Sequence, residues 1–159
     1  MLRLQMLALC GALCLALPTT AEEVADIAPR EGWVVERTAK TFDALVEDLR
    51  AAAKPAGLAV VTMAGPTGAA AARGIEIPGN RVIGLYNNDF AVRVLRLSTA
   101  AMIEAPIRIY VTENADGTAS FSYVPPSVVF APYMDEAPGL AAIAAELDAA
   151  FAAVADAAR

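Results

Sequence analysis

Four polar side chains are the first candidates for recognition chemistry: Asn87, Arg108, Tyr110 and Tyr123. Arg108 and Tyr110 are two positions apart in residues 106–123, PIRIYVTENADGTASFSY. On a strand that spacing puts both on one face. A returning strand is expected to bring Tyr123 beside them, and Asn87 leaves the strand that comes before. A guanidinium with phenols and a carboxamide is a donor set suited to a small anion or polar ligand. The same residues also fit a turn-capping Asn and a cross-strand Arg–Tyr pair at a sheet surface. Both readings stay open at the level of sequence.

Most other chemistries lack their residues. The chain has no histidine, and its two cysteines, Cys10 and Cys14, lie in the first 21 residues. Ser-His-Asp and Cys-His nucleophile systems therefore have no members in the remainder. The usual zinc, copper and haem ligand sets are missing too, so no metal or cofactor is expected. Met63, Met102 and Met134 are widely spaced and read as core packing. Residues 113–117, ENADG, offer oxygens for calcium but fit a hairpin turn better. Asp43, Glu47 and Glu146 read as exposed helix faces rather than a catalytic carboxylate pair. Lys40 and Lys54 read as solvated helix-end residues. Gly65, Gly68 and Gly74 lack the pattern of a phosphate loop.

Residues 1–21 combine a basic Arg3, an apolar run from Leu4 to Leu17 and a small-residue end at Thr19-Thr20-Ala21. This is the layout of a secretory signal peptide, with cleavage expected before Glu22. The run is shorter than the roughly 20 residues that span a bilayer. The expected location is periplasmic or secreted, with no membrane attachment after cleavage. The remaining 138 residues carry 11 basic and 18 acidic side chains, a formal charge of −7. That balance argues against nucleic acid and anionic membrane surfaces as partners. At this length one core buries roughly two-thirds of the unfolded chain's surface without disulfides.

The elements follow from periodicity. Residues 22–31 are polar and are expected to be a flexible lead-in to a single domain, residues 32–159. Residues 32–37 read as a first strand. Thr41 reads as the N-cap of a helix carrying Phe42, Leu45, Val46, Leu49 and Ala53 on one face, ended by Pro55 and Gly57. A second strand is expected at 58–63, a short helix at 67–73, and a third strand at 81–86. A helix over 90–98 should turn Phe90, Val94, Leu95 and Leu97 inward. The hairpin follows, with its turn at residues 114–117 and Gly117 at positive φ. Residues 127–134, SVVFAPYM, read as an edge strand or a cover. Leu140, Ile143, Leu147, Phe151 and Val154 form the stripe of a long last helix.

From Phe42 onward the chain resembles the bacterial family called domain of unknown function 302. The carriers are the first helix ending at Gly57, the strand-to-turn segment IGLYNND at 83–89, the run APIRIYVTENADGTASFSYVPP, and the alanine-rich last helix. The resemblance implies an α+β fold: an antiparallel sheet of about four to five strands backed by two long helices, in a TATA-binding-protein-like arrangement. It also implies association as a homodimer, and it implies no activity. Many relatives carry an Asp-His pair after the second strand, where this chain reads Met63-Ala64-Gly65-Pro66. The family's Gly-Asn-Pro turn is replaced here around Asn87-Asn88-Asp89.

The leading expectation is an exported, non-catalytic domain that binds a small molecule or a protein partner, with Val128–Met134 and the strand face of Tyr110 as contact surface. Two alternatives come from other classes. One is a metal-independent enzyme using Tyr, Arg and carboxylates, marked by a deep pocket holding two or more of Arg108, Tyr110, Tyr123 and Glu113. The other is an envelope assembly or stress factor acting through an edge strand, marked by an unpaired strand at Val128–Phe130.

Overall fold

A computed structural model describes residues 24–159; the leader, its two cysteines and the expected cleavage point at Glu22 lie outside the described residues. The elements run β1 (Val34–Arg37), α1 (Phe42–Ala53), β2 (Ala59–Ala64), α2 (Thr67–Ala71), β3 (Asn80–Tyr86), α3 (Asn88–Leu97), a 3₁₀ turn (Ala100–Glu104), β4 (Ile107–Glu113), β5 (Ala119–Tyr123), α4 (Pro126–Phe130), a second 3₁₀ turn (Ala131–Tyr133) and α5 (Leu140–Ala158). The five strands form one antiparallel sheet in the order β1-β5-β4-β3-β2.

Alternation along β4 decides the layers. Ile107, Ile109 and Val111 are buried, while Arg108 is exposed and Tyr110 half-buried between them. Ile109, Val111, Ile83 and Phe121 share one core with Leu45 and Leu49 of α1 and with Leu140, Ile143, Phe151 and Val154 of α5. The two long helices thus cover one face of the sheet, and the register places Asn80, Val82, Arg108, Tyr110, Thr112, Ser120 and Ser122 on the other. The closing hairpin turn is set by Gly117 at φ +80°. Asp116 Oδ1 accepts from Thr118 N at 3.0 Å and from Thr118 Oγ1 at 2.6 Å. The oxygens of the ENADG stretch thus serve the turn.

Lys40 bridges two elements. Its Nζ donates to Asp48 in α1 at 2.6 Å and to the Ala158 carbonyl at 2.7 Å, satisfying an orphan carbonyl at the end of α5. It is half-buried by these contacts, not solvated as its helix-end position suggests, whereas Lys54 is exposed. Arg93 of α3 forms a two-pronged pair with Glu146 of α5 at 2.6 and 2.7 Å, and the guanidinium holds the Glu146 carboxyl below its usual range.

Several local expectations are corrected. In α3 the buried positions are Ala91 and Val94, while Leu95 and Leu97 are exposed. The helix is anchored by a narrow stripe, and apolar type alone does not put a side chain on it. Residues 126–133 are helical, not an edge strand: Pro126 opens α4 and Asp148 accepts from Ser127 N at 3.0 Å. The sheet edges are β1 and β2 instead. Met102 and Met134 pack against the core, but Met63 is exposed on β2. The lead-in is tied down at Asp26, which accepts from Arg37 at 3.0 Å and from Ala115 N at 2.8 Å.

Candidate functional site

The open face of the sheet holds a cavity of about 320 Å³ bordered by Arg108 and Tyr110. Each wall has a different origin. Arg108 and Tyr110 reach it from alternate positions of β4. Val82 sits opposite Tyr110 on β3, and Ser122 opposite it on β5. Trp33 enters just ahead of β1, beneath Arg30, whose guanidinium carbon lies 4.9 Å from the ring centre. Glu104 from the 3₁₀ turn closes one end.

The polar groups are unequal. The Glu104 carboxylate accepts from the Tyr133 hydroxyl at 2.6 Å, and that bond pushes the Tyr133 phenol pKa up. The Tyr110 oxygen accepts from Asn80 Nδ2, leaving its own proton available. Arg108 has no ion-pair partner among the described residues. Ser122 is 1% exposed, and its Oγ is buried with no hydrogen-bond partner. Its neighbour Ser120 is equally deep but donates to Asn114 Oδ1 at 2.9 Å. A buried hydroxyl without a partner costs free energy, so the unmet Ser122 is the informative one of the pair.

A family model for domain of unknown function DUF302 matches residues 34–158. The chain belongs to the DUF302 family. A crystal structure of an uncharacterized conserved DUF302 protein from Bacillus stearothermophilus is similar in fold, with a TM-score of 0.71 at 21% identity, over 82% of this chain and all of that one. No curated protein matches.

In this DUF302 domain three of the four sequence candidates border one cavity. Arg108 and Tyr110 project from the open face as their spacing predicts. Tyr123 touches the wall, but its parity turns the ring to the helix side, 5.5 Å from Phe151, and burial pushes its phenol pKa up. The residue facing Tyr110 is Ser122, not Tyr123. Asn87 stands elsewhere, capping α3: its Oδ1 accepts from Asp89 N at 2.7 Å and Phe90 N at 3.1 Å, while Nδ2 donates to the Gly57 carbonyl at 2.7 Å.

Sequence reasoning missed Ser122, Trp33 and Glu104. Ser122 was accessible, because alternation already puts it on the face opposite Phe121. Trp33 depends on the pairing of β1 with β5 across almost ninety residues, for which the local sequence holds no signal. No helix among the described residues is long and apolar enough to cross a membrane.

Proposed function

We propose that this DUF302 domain is an exported, non-catalytic binding protein that takes a small organic anion with a planar or apolar body into the Arg108 cavity. The observation that carries the reading is a cavity whose free charged group is Arg108, a guanidinium without an ion-pair partner among the described residues. A carboxylate would pair with the guanidinium. The Tyr110 hydroxyl would supply a hydrogen bond, and Trp33 with Val82 and Val124 would enclose the apolar part. Export rests on the composition of residues 1–21, and pairing with a second copy rests on the family resemblance.

Benzoate is a suitable probe, with binding followed by calorimetry. Arg108→Gln should weaken it about tenfold or more, because a desolvated charge loses its partner. Ser122→Ala separates the two readouts: benzoate binding holds, because the hydroxyl has no surface open to the cavity, while the ligand-free protein gains about 1 kcal/mol in urea because an unmet buried hydroxyl is removed. No benzoate binding, or binding indifferent to Arg108→Gln, would count against the site.

The convergence of Arg108 and Tyr110 in one cavity also favours a second reading, metal-independent catalysis. Glu113, the carboxylate expected to join them, borders a different cavity, and Glu104 is engaged by Tyr133. Benzoate esters and amides incubated with the protein would separate the readings, since only an enzyme yields free benzoate.

A further inference from the structure

The Arg108 cavity carries two charged side chains of opposite sign. Arg108 and Glu104 both border it, and they do not pair with each other. Glu113, the other carboxylate close to Tyr110, lies in a neighbouring cavity on the far side of that ring. The remaining polar side chains leave the balance as it is. The Ser122 hydroxyl has no open surface, and the Tyr123 ring turns to Phe151 on the helix side. Tyr110 can donate a proton but brings no charge. Trp33, Val82, Val124 and Val129 make the rest of the wall apolar.

Glu104 is held in place with acceptor capacity to spare. Its Oε1 accepts from the Tyr133 hydroxyl at 2.6 Å, and its Oε2 has no hydrogen bond among the described residues. A plain carboxylate that enters beside Arg108 brings a second negative charge into a space that already holds one. A ligand that also carries a cationic donor meets both protein charges and replaces that repulsion with a charge-assisted hydrogen bond. Glu104 and Arg108 are four positions apart, at most about 14 Å between their Cα atoms, and both border one space of about 320 Å³. One substituted ring can therefore meet both.

We infer that the ligand class of this cavity is a zwitterion: an amino-substituted carboxylic acid with a planar or apolar body, its carboxylate on Arg108 and its ammonium on Glu104. The inference rests on the anion reading and adds the residue that selects among anions.

Benzoate, benzylammonium and the 3- and 4-(aminomethyl)benzoates are the probes, with binding to the purified protein followed by calorimetry. The better of the two isomers is expected to bind about tenfold or more tightly than benzoate, and benzylammonium more weakly than that isomer. Glu104→Gln removes the charge and keeps an oxygen to accept from Tyr133. It should erase the gain of the isomer over benzoate and leave benzoate binding equal or tighter. Isomers no tighter than benzoate, or a gain that survives Glu104→Gln, would overturn the zwitterion assignment and leave the anion reading standing. Failure of benzoate and both isomers to bind would overturn the two together. The comparison of ligands on the unaltered protein decides the matter even if the variant does not fold.

Discussion

Asp116 shows how much one exposed side chain does at the hairpin tip. Its carboxyl is lowered to about 2, first by the Thr118 hydroxyl bond and then by Arg37, whose Nη2 lies 2.7 Å away. A carboxyl whose folded pKa lies below the ordinary value near 3.8 adds stability above that value and loses it as pH falls toward 2. Acid unfolding followed by circular dichroism should therefore show a stability loss between about pH 4 and pH 2 that Asp116→Asn flattens. The effect should shrink in high salt, because the pair is exposed. Arg37 also pairs with Asp26 at 3.0 Å, so one guanidinium joins the lead-in and the hairpin tip to β1.

At the scale of elements, caps and turns carry the local order. Thr41 caps α1, accepting from Ala44 N, and Asn87 caps α3 while reaching back to the loop after α1. Asn87→Ala should cost about 1 kcal/mol or more in urea, with benzoate binding unaltered, because Asn87 borders neither open-face cavity. Gly117→Val places a β-branched residue at φ +80° and should cost roughly 1 kcal/mol or more. An unchanged urea midpoint would show that the hairpin closes by another turn. The packing of β3 against its neighbours is equally specific. A Cβ at Gly84 would come within 2.2 Å of Thr62 Oγ1 and 2.9 Å of Pro106 Cγ, so only glycine lets the open face close at that point.

At the scale of the whole molecule, the long helices cover one side of the sheet and leave the other open, with a cavity on either side of Tyr110. Native mass spectrometry of the protein taken gently from its own compartment addresses this level directly. Chains should begin at Glu22 if the leader is removed, and should pair if the family resemblance holds. A mass above a whole number of chains would reveal a retained ligand, and its excess would fix the chemical class. A chain retaining residues 1–21 would replace export of a free domain with membrane anchoring.

The sequence by itself determined the elements and their order, because period-two and helical patterns, caps and Gly117 are local signals. It also determined which chemistries lack their residues, and it put Arg108 and Tyr110 on one face. Lys40, Leu95, Leu97 and the edge-strand alternative for residues 127–134 differ from the structure where packing overrode type: a lysine recruited to a helix end, leucines off the buried stripe, and an apolar run turned helical by Pro126 and Asp148, which covers the core through Phe130 and Met134. Alternation puts Ser122 rather than Tyr123 on the face opposite Phe121, and the tertiary structure decided that Ser122 rather than Ser120 stands across from Tyr110, because register is set by pairing between strands. Only the pairing of β1 with β5 brought Trp33 to the cavity, and only the full packing left the Ser122 and Thr112 hydroxyls buried without partners. Those are properties of contacts between distant segments, and no spacing along the chain encodes them.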